Sequence, residues 1–104
     1  MGTAIREKNG KLRINVTGEV DHHRARETME MIEDAVDRAL PRECILDLRE
    51  VTFMDSSGIA LILKTHRRMN EIGGRILVEN VPPQAMRVLE ASSIDRIISI
   101  KAAT

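Results

Sequence analysis

The sequence predicts an α/β fold in which parallel strands are joined by helical crossovers and entered through an antiparallel hairpin. Three observations point there. Strand-like and helix-like segments alternate along the chain, a succession that folds as parallel strands linked by right-handed crossovers. An Asn9-Gly10 pair near the start separates two short segments, and Asn-Gly supplies the two positive-φ positions of a two-residue hairpin turn. The chain is 104 residues long, with 42% hydrophobic and 31% charged residues, and no repeat or linker divides it. That mixture suits one globular domain over 1–104.

The elements follow in order. Residues 3–8 and 11–17 read as the hairpin strands, with Leu12, Ile14 and Val16 alternating in the second. Gly18-Glu19-Val20-Asp21 leaves that strand, and Asp21 is placed to cap a helix over 22–39. Ala25, Met29, Ile32, Val36 and Ala39 give this helix one apolar stripe, and Pro41 ends it. Residues 44–48 form a short apolar strand, followed by Val51-Thr52-Phe53-Met54 and then Asp55-Ser56-Ser57-Gly58. A second helix starts near Ser57 and stops before Gly73-Gly74. Residues 75–79 form another strand, Pro82-Pro83 opens a third helix to about Ala91, and 96–100 form a last strand.

Composition excludes several roles. Sixteen Lys and Arg balance sixteen Asp and Glu, leaving no basic excess with which a general nucleic-acid binder displaces counterions. Phe53 is the only aromatic residue, so base stacking has almost nothing to use. Cys44 is the only cysteine, which rules out an internal disulfide, and its apolar neighbours suggest a buried thiol in a reducing compartment. The first eight residues hold no apolar run of signal-peptide type, and no stretch approaches the roughly 20 apolar residues of a membrane span. The expectation is a cytoplasmic protein without membrane contact.

Parallel connectivity has one consequence for function. The loops at 18–21, 55–58 and 80–83 all leave carboxyl ends of strands, so they gather along one sheet edge, where such folds place their sites. Two readings of Asp55-Ser56-Ser57-Gly58 compete on that edge. In one, Asp55 or a serine caps the helix, contributing about 1 kcal/mol. In the other, a serine is a phosphoacceptor, because a helix N-terminus tolerates added negative charge. Gly58 points to close approach, either of internal packing or of a partner.

Other chemistries are weaker. His22 and His23 are neighbours and, on a helix, point about 100° apart, which is awkward for one metal. A serine hydrolase would pair Ser56 or Ser57 with His22 or His23, but the Gly-x-Ser-x-Gly pattern is absent. No phosphate-binding glycine motif surrounds Gly73-Gly74, His66 reads as a boundary residue, and Arg67-Arg68 as a solvated helix face.

Gly18-Glu19-Val20-Asp21-His22-His23, Phe53-Met54-Asp55-Ser56-Ser57-Gly58 and Ile72-Gly73-Gly74, in this order and spacing, resemble the bacterial STAS-domain anti-sigma factor antagonists, above all the sporulation type. The resemblance covers nearly the whole chain. It implies a single STAS domain, a mixed four- or five-stranded sheet with helices packed on one face. It also implies partner switching without catalysis or a cofactor of its own. The unphosphorylated antagonist binds an anti-sigma factor that is itself an ATP-dependent serine kinase, and a sigma factor is freed. Phosphorylation then dissociates the complex, and a phosphatase would reset it. Carried over by position, the phosphoacceptor is Ser56. Glu19, Asp21, His22, Asp55, Ser57 and Gly58, with Ile59 and Leu61 on the second helix, form the expected docking surface. The resemblance leaves open the pathway, stress or sporulation, and a sister role as a scaffold in a signalling or lipid-transport complex. Residues 101–104 alone follow the last expected strand, where many relatives add a helix, so contacts of that helix are not carried over.

Overall fold

Backbone chemistry sets the first turn. Asn9 at φ 54° and Gly10 at φ 79° both occupy the left-handed region, closing a tight hairpin in which Lys8 faces Lys11. The computed structural model describes residues 2–104, with side chains from Ala4 onward; Met1 lies outside the described residues. The hairpin joins β1 (Gly2–Lys8) to β2 (Lys11–Val20). Then follow α1 (Ala25–Ala39), β3 (Glu43–Met54), α2 (Ser56–Glu71), β4 (Arg75–Val81), α3 (Pro83–Ala91) and β5 (Ser99–Ala102).

The five strands lie in chain order, with β1 antiparallel to β2 and every later neighbour parallel. Three right-handed crossovers that all step in the same direction leave their helices on the same face of the sheet. α1 packs on α2 and α2 on α3. Leu12, Ile14, Cys44, Leu46 and Val78 meet Met29, Ile32, Val36, Ile62, Met69 and Leu89 in a core of buried aliphatic and sulfur side chains. Burial drives the Cys44 thiol up from 9.0 to about 12, as expected of a structural cysteine. The Arg68 guanidinium ties α2 to Asp37 of α1 at 2.7 Å. The other sheet face is kept polar by ion pairs: Arg13 reaches Asp47 at 2.9 Å and Glu79 at 3.4 Å, and Arg75 reaches Glu43 at 2.6 Å.

The structure moves several expected boundaries. α1 starts at Ala25 and not at residue 22, because Asp21 organises a separate turn before the helix. The short strand expected over 44–48 runs on through 51–54 as one longer strand, β3, whose register against β2 slips at two bulges. Exposed Arg49 and Glu50 lie next to the first bulge, beyond the apolar run that marks the start of the strand. α2 begins one residue early, at Ser56. The strand expected over 96–100 sits later, at Ser99–Ala102, because Ile94–Arg96 winds into a short 3-10 turn.

Candidate functional site

β2 and β3 end together, Val20 beside Met54 in register, and each is followed by an aspartate that receives the next helix. Asp55 adopts extended backbone and its Oδ1 accepts a hydrogen bond from the Ser57 N–H at 2.8 Å, so α2 is capped by Asp55. The Gly58 N–H donates to the Asp55 carbonyl at 3.0 Å, closing the first turn. The Asp55 N–H in turn donates to the Val20 carbonyl at 3.2 Å, binding this junction to the end of β2.

The carboxylate thus does the capping, and neither the Ser56 nor the Ser57 hydroxyl makes a hydrogen bond among the described residues. Ser56 is exposed at the first position of α2, Ser57 half-buried behind it. Beyond the cap Asp55, whose carboxylate holds the Ser57 N–H, no acidic side chain occupies the first turn of α2. A phosphate on the Ser56 oxygen would displace no existing bond.

Gly58 is explained by packing within the molecule. A Cβ there would lie 2.5 Å from Met54 Cγ and 2.6 Å from Met54 Sδ, so the glycine exists to let α2 sit directly on the buried Met54 side chain. Met54 is also held from the other side. Gln84, in the first turn of α3, accepts from the Met54 N–H at 2.9 Å and donates to the Met54 carbonyl at 2.9 Å.

Asp21 behaves differently. Its Oδ1 accepts from the His23 N–H at 3.1 Å and the Arg24 N–H at 3.0 Å, forming an exposed turn before α1. His22, His23 and Arg24 are all exposed, and Arg24 lies 3.9 Å from Glu19 in a loose ion pair. An open cleft of about 590 Å³ runs between the two helices beside these loops, lined by His22, His23, Arg26, Met29, Ser57, Leu61 and Lys64 among others.

The structure therefore brings Glu19, Asp21, His22, Asp55, Ser56 and Ser57 to one edge of the sheet. It buries Gly58 and Leu61 and half-buries Ile59, whose side chain packs against the core; Leu61 reaches the surface only along the cleft floor. No hydrogen bond joins a serine hydroxyl to His22 or His23 among the described residues, and the two imidazoles stand edge to face with centroids 5.8 Å apart. No group of three or more His, Cys, Asp or Glu among the described residues is arranged to hold a metal. His66 lies in mid-helix on α2, half-buried, with Nε2 3.3 Å from the Asn70 amide.

Sequence reasoning missed Gln84 and the exposure of Phe53, which is 43% accessible near the end of β3. The loop at 80–83 was placed on the edge by topology, and a carboxamide just inside the following helix was the available signal for Gln84. Strand alternation accounts for its position: with Met54 buried on the core face, Phe53 points to the opposite face.

Comparison with known proteins agrees with this geometry. The STAS domain profile matches residues 3–104. An anti-sigma F factor antagonist of Paenibacillus polymyxa is 33% identical over 91 residues, covering 88% of this chain and 78% of the relative. The fold superposes on the unphosphorylated form of the anti-sigma factor antagonist SpoIIAA with a TM-score of 0.81 at 24% identity, covering 95% of this chain and 87% of that one. The phosphorylated form of the Bacillus cell fate determinant SpoIIAA superposes with a TM-score of 0.72, also at 24% identity, covering 95% and 90%. The chain belongs to the STAS-domain family and is closely related to its anti-sigma factor antagonists.

Proposed function

We propose that this chain is an anti-sigma factor antagonist regulated by phosphorylation, and that Ser56 is the residue phosphorylated. STAS-domain antagonists are non-catalytic regulatory proteins, so the chain's action is binding. The observation that carries the assignment is the division of labour at the start of α2. Asp55 caps the helix, which leaves the exposed Ser56 hydroxyl free to be modified without loss of a structural bond.

In this reading the unmodified edge docks an anti-sigma factor, itself an ATP-dependent serine kinase, through Glu19, Asp21, His22, Asp55, Ser56 and Ser57. Gly58, Ile59 and Leu61 contribute by shaping the first turns of α2 beneath that surface. The kinase phosphorylates Ser56, adding about −1.5 to −2 charges at the centre of the contact. A buried charge without a partner costs several kcal/mol, enough to change affinity by orders of magnitude. A phosphatase restores the binding form. A cytoplasmic location goes with a partner that controls a sigma factor, and no helix among the described residues is long and apolar enough to cross a membrane.

The test is incubation with ATP and the cognate anti-sigma kinase, followed by mass spectrometry. One phosphate on Ser56 is expected, with Ser56→Ala binding the kinase yet refusing phosphate. Phosphate on Ser57 or elsewhere overturns the assignment.

A further inference from the structure

β3 outruns its neighbour. Its pairing with β4 ends at Asp47 and Glu79, whereas β3 continues to Met54 with β2 alone beside it. At Met54 the missing neighbour is replaced by a side chain. The Gln84 carboxamide accepts the Met54 N–H through Oε1 and donates to the Met54 carbonyl through Nε2, both at 2.9 Å. A carboxamide offers the donor and acceptor of a peptide group, so Gln84 acts as a strand one residue long.

Met54 is where three elements converge. Its backbone is held by α3, its side chain lies under Gly58 of α2, and the residue after it is the cap Asp55. Any displacement of Met54 is passed directly to Asp55 and Ser56. The partner that prevents displacement lies thirty positions away in sequence.

We infer that Gln84 is a positioning residue for the phosphoacceptor turn, fixing Met54 so that Ser56 is presented to the kinase in one geometry. This rests on the reading of Ser56 as phosphoacceptor. Phosphoryl transfer depends on alignment of the attacking hydroxyl, and small misplacements cost large factors in rate. In this role Gln84 acts through Met54 and Asp55.

Gln84→Met keeps the length and bulk of the side chain while deleting both hydrogen bonds. With the cognate anti-sigma kinase and ATP, kcat for Ser56 phosphorylation should fall about tenfold or more with KM little changed. Amide exchange at Met54 should quicken about tenfold beyond the change at the core residue Leu46. Gln84→Glu supplies a second reading that packing alone does not produce. Its ionised carboxylate accepts from the Met54 N–H but repels the carbonyl, and its protonated form restores the donor. Met54 protection, corrected for intrinsic exchange, should therefore rise as pH falls through the ordinary carboxyl range, about 4.3, while wild type stays level. A Gln84→Met chain with wild-type kcat, or Met54 exchange that only tracks Leu46, overturns the inference, as does pH-independent protection in Gln84→Glu. A wild-type chain that takes no phosphate on Ser56 instead overturns the reading of Ser56, and the role built on it.

Discussion

Two junctions with the same local plan behave differently. Both β2–α1 and β3–α2 follow a strand end with an aspartate, and the two strand ends are paired, Val20 beside Met54. At the first, Asp21 holds a turn of exposed residues, and α1 begins only at Ala25. At the second, α2 begins at once, with Asp55 capping it, Met54 packed beneath Gly58, and Gln84 holding the Met54 backbone. The lesson is a separation of duties. Under the proposed function, the hydroxyl to be presented stands on a fixed platform, while the loop beside it is held, among the described residues, by local bonds such as those of Asp21.

The comparison can be broken at several points, in decreasing order of expected effect. The fixed junction is carried by β3, whose second residue, Cys44, is fully buried. Its thiol ionises at about 12 in the fold against 9.0 in the unfolded chain, so its contribution is intact below pH 9 and is lost as pH rises toward 12. That loss reaches about 4 kcal/mol. Urea melts from pH 8 to 11 should show this decline in wild type and a shallower one in Cys44→Ala, whose starting stability is lower.

Gly58→Ala forces a methyl into Met54 and should cost about 1–3 kcal/mol. Thermal melts would register a fall of several degrees for a chain this size. A neutral Gly58→Ala would mean that the second junction is not tightly packed. Asp55→Ala removes the α2 cap and should cost about 1 kcal/mol, read by the same melts. Asp21→Ala acts on an exposed turn outside α1 and should cost less than Asp55→Ala while weakening partner binding more than it weakens the fold. Equal stability losses at the two aspartates would erase the distinction between the junctions.

What the sequence made legible was local. Asn9-Gly10 dictated the hairpin, the Met29, Ile32 and Val36 spacing dictated α1, and Gly73 at φ 77° dictated the end of α2, because each depends on a few neighbouring residues. Parallel connectivity then placed the edge loops together. Boundaries were less legible where one residue type serves two purposes: Asp21 is equally suited to capping a helix or a turn, and Arg49-Glu50 looks alike in a loop or beside a bulge. The Gln84–Met54 clamp had no local signature, since it joins residues thirty positions apart through geometry only the folded chain supplies. Which of Asp55, Ser56 and Ser57 caps α2 likewise turned on which oxygen received the Ser57 N–H, and that was Asp55 Oδ1.

Under the proposed function, charge on Ser56 changes what the edge accepts while the scaffold stays as it was. The most direct test is calorimetric titration of the anti-sigma kinase with the unmodified and the Ser56-phosphorylated chain, alongside melts of both. Affinity should be at least about a hundredfold weaker after phosphorylation, with stability unchanged to within about 1 kcal/mol. Equal affinities for the two forms would contradict the proposed function.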